Sequence, residues 1–352
     1  MKRQDDGMPF LLQYENVAWY EDGKVRILDR RVYPREVRFE ICTSYKEVIT
    51  AIRNLVTQSA GPYTAVAMGM ALASYESRNL DREERIKFLE KAEDELGNAR
   101  VTTAGRYKKI TSRCLDIGKK AINENIDPIP LIIEDTVESL NRRYSTMEKV
   151  GDNFLSLIPE NGTILTQCYG ETIIGALIKA SKRENKKFKV ICAETRPFLQ
   201  GARLTASCFA EEGFDTTVVT DNMIADILSK GKVDVFTSAA DSITEDGSVV
   251  NKIGTYQIAL LCDIYDIPYY VTGVPDLGKR TLEDVEIEMR NPEDVLQLNG
   301  IKHTQKGVKG YYPSFDKTPS KYVSKVVTNK GIFDSNNLES YFSMIGEDEK
   351  FY

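Results

Sequence analysis

Four short polar segments carry most of the side chains able to do chemistry, and each closes an apolar run: Gln167-Cys168-Tyr169-Gly170, Glu194-Thr195-Arg196-Pro197, Thr220-Asp221-Asn222 and Ser238-Ala239-Ala240-Asp241. A thiol at Cys168, followed by Gly170 and a helix starting near Thr172, lies close to unpaired backbone N–H groups that favour a thiolate or a phosphate. The alternative is a packed structural cysteine, which composition alone favours. Asp241 follows two alanines, a setting in which desolvation raises a carboxyl pKa and suits it to proton transfer. A turn or cap aspartate is the other reading. Asn251-Lys252-Ile253-Gly254-Thr255 offers an amide, an ammonium and a helix start as a phosphate cradle, although a lysine there is commonly just solvated. Arg196 and Arg203 bring two guanidiniums to one edge, either to bind an anion or to brace the acidic loops.

The residue inventory narrows the chemistry. The only histidine is His303, in a polar stretch after Asn299-Gly300, which reads as an exposed loop. Ser-His-Asp triads, H-E-x-x-H zinc sites and multi-histidine metal centres are therefore excluded. The six cysteines (Cys42, Cys114, Cys168, Cys192, Cys208 and Cys262) contain no C-x-x-C pair, so they are expected to be reduced thiols, mostly packed. Neither a G-x-G-x-x-G fingerprint after the first strand of the second half nor a G-x-x-x-x-G-K-[ST] loop is present, which leaves nicotinamide and P-loop chemistry unsupported.

The elements that must position these residues fall into two textures. Asn16 to Tyr20 and Lys24 to Ile27 flank an Asp-Gly turn and predict a hairpin. Ser44 and Glu47 have capping-box spacing ahead of Val48, Ile49, Ile52 and Leu55, which recur at helical period. Further helices are predicted over Tyr63 to Ser77, Asp81 to Leu96 and Ala104 to Asn123. Pro128 and Pro130 interrupt this pattern and set the expected boundary, with Ile133 to Val150 as a connecting helix. From Asn161 onward, short apolar runs at Thr163 to Gln167, Phe188 to Ala193, Thr216 to Val219, Val233 to Thr237 and Tyr269 to Thr272 read as buried parallel strands. Helices at Thr172 to Arg183, Gly201 to Glu212, Asn222 to Ser229 and Lys252 to Tyr265 alternate with them. The expectation is an α/β chain: a small antiparallel sheet plus helices over residues 1–130, then a doubly wound parallel sheet domain over 131–352. Ligands of such sheets bind outside the carboxyl ends of the strands, where the four polar segments lie. Residues 335–352 read as a loosely held tail.

The 352 residues are 41% hydrophobic and 28% charged, with a net charge of -6 and interspersed signs, which gives no footprint for nucleic acid. The opening MKRQDDGMPFLLQYENV puts acidic residues where a signal peptide needs an apolar core, and no stretch approaches a membrane span. A cytoplasmic chain with no membrane partner is expected.

The sequence also resembles a known family, the methylthioribose-1-phosphate isomerases together with the ribose-1,5-bisphosphate isomerases and the regulatory subunits of translation initiation factor 2B. The resemblance rests on Val17-Ala18-Trp19-Tyr20, Ile164-Leu165-Thr166-Gln167-Cys168, Glu194-Thr195-Arg196-Pro197 and Gln200-Gly201-Ala202-Arg203-Leu204-Thr205. It continues through Thr220-Asp221-Asn222-Met223, Ala240-Asp241, Asn251-Lys252-Ile253-Gly254-Thr255-Tyr256-Gln257, Arg290-Asn291-Pro292-Glu293 and Pro313-Ser314-Phe315-Asp316-Lys317-Thr318-Pro319. These segments span nearly the whole chain and imply a Rossmann-like second domain.

By resemblance, Cys168 and Asp241 carry the hydrogen shift of an aldose–ketose isomerase acting on a pentose 1-phosphate, in methionine salvage or deoxypentose disposal. Gln200, Asn251 and Lys252 match substrate-binding positions. Arg100, in Asn98-Ala99-Arg100-Val101-Thr102, matches an arginine that reaches the phosphate. No metal or organic cofactor is implied, and a homodimer is. Two departures stand out. Where the methylthioribose-1-phosphate isomerases carry an Arg-Gly-Ala-Pro phosphate loop, this chain has Ser59-Ala60-Gly61-Pro62, which leaves Gly61 but no arginine. The loop after Cys168 is shorter and contains Glu171, closer to the bisphosphate isomerases and the regulatory subunits. Methylthioribose 1-phosphate or 5-deoxyribose 1-phosphate is the favoured substrate. A ribose 1,5-bisphosphate-type isomerase and a non-catalytic sugar-phosphate or nucleotide-sensing protein are the alternatives.

Overall fold

A computed structural model describes residues 3–100 and 104–346, and the chain forms two compact units, Met1–Ser145 and Thr146–Tyr352. The first opens with a short helix, α1 (Tyr14–Val17), and a three-stranded antiparallel sheet of β1 (Ala18–Glu21), β2 (Lys24–Leu28) and β3 (Phe39–Cys42). Asp22 and Gly23 both have positive φ, 45° and 76°, the backbone twist that a two-residue hairpin needs. The hairpin is as expected, except that Asn16 and Val17 end α1 rather than begin a strand.

Four helices follow: α2 (Tyr45–Arg53), α3 (Gly61–Glu76), α4 (Arg82–Gly97) and α5 (Ala104–Asn123). Ser44 caps α2 by accepting from the Glu47 N–H, and Asp81 caps α4 by accepting from the Glu84 N–H. Val48, Ile52, Val66, Met70, Leu89, Leu96 and Tyr107 pack together beneath the sheet residues Val25 and Ile27. The prolines do not break the chain as expected. They open a 30-residue helix, α6 (Pro128–Leu157), because the first turn of a helix has no use for their missing N–H groups, and the two units divide inside α6.

The second unit is built on a seven-stranded sheet ordered β15-β14-β10-β7-β4-β5-β6. Its strands are β4 (Thr163–Gln167), β5 (Lys189–Ala193), β6 (Thr216–Val219), β7 (Val235–Ala239), β10 (Tyr269–Thr272), β14 (Lys325–Thr328) and β15 (Gly331–Asp334). All adjacent pairs are parallel except β14 with β15. Helices α7 (Glu171–Glu184), α8 (Ala206–Glu211), α9 (Ile224–Ser229) and α10 (Thr255–Ile264) connect or flank the strands. Leu165, Phe236, Val271 and Val326 of the sheet pack with Ile224, Leu228, Ile258 and Cys262 of the helices.

A second, three-stranded antiparallel sheet orders β13 (Phe315–Thr318), β9 (Val249–Lys252) and β8 (Ser242–Ile243), and Gln297–Leu298 pairs with Ile301–Lys302 as β11 and β12. The run expected to start a helix at Lys252 is therefore a strand end, with α10 beginning three residues later. The expected loose tail, residues 335–352, is corrected as far as it is described: Ser335, Leu338 and Tyr341 are buried, the last in α11 (Glu339–Ser343) with its ring edge to face on Phe333, while residues 347–352 lie outside the described residues.

The chain runs β4, β5, β6 outward, then returns to place β7 on the other side of β4. Strand order thus reverses between β4 and β7, the position where open α/β sheets bind ligands beyond their carboxyl ends. One close approach helps fix the rim there. A Cβ on Gly201 would stand 1.8 Å from the Ala193 carbonyl oxygen, so only glycine lets this turn lie against β5. Gly201→Ala is expected to cost about 3 kcal/mol and to lower the unfolding midpoint by about 6–12 °C in calorimetry, whereas a midpoint within about 2 °C of wild type would show that the turn can back away.

Candidate active site

Cys168 is the residue after β4 and Asp241 lies two residues after β7, so they flank the strand-order reversal. Cys168 is half-buried with φ 61°, an uncommon conformation for a residue other than glycine. Its backbone is held from two sides. The Cys168 N–H donates to Thr195 Oγ1 at 2.8 Å, and the Cys168 carbonyl accepts from the Thr205 hydroxyl. Thr195 in turn donates to the Ala193 carbonyl at 3.1 Å, and its own φ is 65°, strained for a β-branched residue. Asp221 supports that strain with both carboxylate oxygens, accepting from the Thr195 N–H at 2.8 Å and the Arg196 N–H at 2.7 Å. The turn that supplies Thr205, Gly201–Thr205, is π-helical, a form often found at functional sites.

Gln167 joins β4 to the second sheet by donating from Nε2 to the Lys252 carbonyl at 3.0 Å and by contacting Thr255 Oγ1. Thr255 Oγ1 also accepts from Asn251 Nδ2 at 3.0 Å and donates to the Lys252 carbonyl at 2.7 Å. Asn251 and Lys252 are both buried at the end of β9, and the Lys252 ammonium sits 5.0 Å from the Phe315 ring centroid. Asp241 joins the same strand pair: its N–H bonds the Val250 carbonyl at 3.0 Å, next to the Ser242–Val250 pairing. Gln200 is buried just before the π-helical turn, and its Oε1 has no hydrogen-bond partner among the described residues.

Gly254 (φ 105°) precedes α10, and one oxygen of Asp316 accepts from the Gly254 N–H at 2.7 Å and the Tyr256 N–H at 3.1 Å. Burial pushes the Asp316 carboxyl up to about 6, against the pull of those N–H groups and of Lys252. Asp316 lies directly across β13 and β9 from Asn251.

The protonation state of Cys168 differs from the thiolate its helix-start position suggests. Burial pushes the thiol up to about 11; Asp241 and Asp221 push the same way, and Lys252 and the Tyr169 N–H offset this only in part. At neutral pH Cys168 therefore carries its proton. Asp241 differs as well: it is exposed rather than desolvated, because it stands beyond the end of β7 at the turn into β8. Arg196 donates to the backbone carbonyls of Pro197 and Gln297 at 3.1 and 2.8 Å, and Arg203 Nε donates to the Phe198 carbonyl at 3.0 Å, so both guanidiniums brace loops.

Cys168, Gln200, Asp241, Asn251 and Lys252 all belong to the second unit, whereas Arg100 and Gly61 belong to the first. Gly61 opens α3, where a Cβ would stand 1.9 Å from Thr57 Oγ1. Arg100 is partly buried just after α4, and its neighbours Val101 and Thr102 lie outside the described residues. His303 is exposed, as expected. Sequence reading passed over Thr195, Thr205, Thr255, Gln167 and Asp316 as positioning groups. The quoted segments contain every one of them, but only three-dimensional contacts show what they hold.

A half-buried thiol, an exposed carboxylate, a buried lysine and two buried amides lie at strand ends and turns of the second unit of an α/β protein, a set of groups able to transfer a proton. The chain belongs to the Initiation factor 2 subunit family, whose model matches residues 39–335. A methylthioribose-1-phosphate isomerase of Desulforamulus reducens is 32% identical over 331 residues, covering 90% of this chain and 95% of the relative. Among solved structures, 5-methylthioribose 1-phosphate isomerase from Pyrococcus horikoshii is 27% identical with a TM-score of 0.80, covering 94% of this chain and 98% of that one. Translation initiation factor eIF-2B subunit delta from A. fulgidus is 29% identical with a TM-score of 0.77, covering 90% and 95%.

Burial that pushes the Cys168 thiol up to about 11 has a direct chemical signature. Alkylation of Cys168 by iodoacetamide, followed by peptide mass mapping, is expected to keep accelerating from about pH 8 to about pH 10, and Lys252→Met is expected to slow it. A rate that levels off below about pH 9 would contradict the burial-dominated thiol.

Proposed function

We propose that the chain is an aldose–ketose isomerase that converts S-methyl-5-thioribose 1-phosphate to S-methyl-5-thioribulose 1-phosphate. The observation that carries this reading is the placement of Cys168 after β4 and of Asp241 after β7, on either side of the strand-order reversal, in a chain whose relatives are named for that isomerisation. Substrate and product are isomers. One hydrogen moves from C2 to C1, and one proton moves from the C2 hydroxyl to the ring oxygen, with no atom gained or lost. Because the phosphate on the anomeric carbon prevents spontaneous ring opening, the site itself must deliver a proton to the ring oxygen and remove one from the C2 hydroxyl.

In this reading Cys168 serves as acid or base at the reacting carbons, while Asp241 assists ring opening and holds the sugar hydroxyls. Gln200, with its orphaned buried Oε1, accepts from a substrate hydroxyl, and Asn251 and Lys252 hold the sugar phosphate at the end of β9. Arg100 and Gly61 keep the substrate-binding roles that the resemblance implies. The reading includes a cytoplasmic homodimer that needs neither metal nor organic cofactor. It also includes a replacement for the phosphate-loop arginine that Ser59 has displaced.

A phosphorus and proton NMR time course tests it, with methylthioribose 1-phosphate, 5-deoxyribose 1-phosphate and ribose 1,5-bisphosphate as parallel substrates beside a Cys168→Ser control. Ketose is expected from methylthioribose 1-phosphate, with the control slower by about 100-fold or more. Conversion of the bisphosphate alone would reassign the substrate, and no conversion by folded protein would move the chain to the ligand-sensing reading.

A further inference from the structure

Tyr312 is 2% exposed, yet among the described residues its phenol oxygen has no hydrogen-bond partner, a costly state for a buried hydroxyl. The backbone leaves it little freedom. Its carbonyl accepts from the Arg290 N–H at 2.9 Å, and two residues later the Ser314 carbonyl accepts from the Ile253 N–H at 3.2 Å, immediately after Lys252. The ring packs beside Phe198 with centroids 6.2 Å apart, and the Lys252 ammonium sits 6.0 Å from its centroid. Cys168 is near enough that its thiolate form, where populated, raises the pKa of the phenol. Tyr312 also lines a cavity of about 230 Å³ together with Pro197, Ile253, Val295 and Pro313. The guanidinium of Arg196, which reaches the same cavity, is committed to backbone carbonyls.

An orphaned donor beside a buried ammonium, at the edge of a small and mainly apolar cavity, is a group whose partner arrives with the ligand. We propose that Tyr312 is a substrate-contacting residue whose hydroxyl donates to an oxygen of the bound sugar phosphate, next to Lys252. This inference rests on the sugar-phosphate reading above and adds a specificity element to it. A hydroxyl recognised by a buried phenol discriminates against an analogue that lacks it, because that analogue leaves the phenol unpaired again.

Tyr312→Phe removes one oxygen and keeps the ring, so folding and contact separate cleanly. The variant is expected to unfold at the wild-type temperature or above it, since the oxygen it loses has no partner in the free protein. Its kcat/KM for methylthioribose 1-phosphate is expected to fall by about tenfold or more, and the rise in unfolding temperature that saturating substrate gives wild type is expected to shrink. Unchanged kcat/KM and an unchanged ligand-induced shift, with wild type active, would overturn the role of Tyr312 and leave the isomerase reading intact. Wild type inactive on this substrate would instead overturn the isomerase reading. A variant that unfolds well below wild type would show that the hydroxyl has a structural partner, which also overturns the inference.

Discussion

The Thr195 hydroxyl is the contact on which the geometry of the site depends. It accepts from the Cys168 N–H and donates to the Ala193 carbonyl, so one oxygen ties the residue after β4 to the last residue of β5. Thr195 can do this only at φ 65°, a conformation that costs a β-branched residue about 1–3 kcal/mol. Asp221 offsets that cost with two charge-assisted bonds to consecutive N–H groups. Strain at Thr195 and at Cys168 is thus supported by a carboxylate at the start of the segment after β6, and three adjacent strand ends share one hydrogen-bonded rim.

A second network governs the charge that Cys168 feels. Thr255 Oγ1 gathers Gln167, Asn251 and the Lys252 carbonyl, which anchors the end of β9 to the end of β4. Lys252 is buried there beside two aromatic rings, with Asp316 as a nearby carboxylate that burial has brought up to about 6. The lysine draws the Cys168 thiol down while burial and the aspartates drive it up, and burial prevails. A protonated thiol under the partial influence of an ammonium is suited to give a proton and take it back, which is what an isomerisation with no net change in composition requires.

Much of the fold was legible because buried parallel strands leave apolar runs of four or five residues closed by polar ends; β4, β6 and β10 have the predicted bounds. The misreadings fall where function or context overrides pattern. Val249–Lys252 reads poorly as a strand because it ends in an asparagine and a lysine that are buried for the site, against the usual alternation. Pro128 and Pro130 read as a break because their place in the first turn of α6 depends on Asp127, whose Oδ1 accepts the Ile129 N–H. Strands β14 and β15 were passed over because the sequence gives no sign that Lys325–Thr328 extends the sheet beside β10. Among the candidate site residues, Cys168, Asp241, Asn251 and Lys252 stand out from their segments, and Gln200 only by resemblance. The thiol's protonation is not legible there, because it depends on packing and on charges brought from separate strands.

The most direct test of the account is the turnover number for methylthioribose 1-phosphate of Thr195→Ser compared with Thr195→Ala, both checked for folding. Serine keeps the hydroxyl that locks Cys168, and alanine removes it. The account predicts a kcat for the serine variant within about threefold of wild type and a fall of about tenfold or more for the alanine variant. Equal kcat values for the two variants would contradict the claim that this hydroxyl sets the position of the reacting thiol.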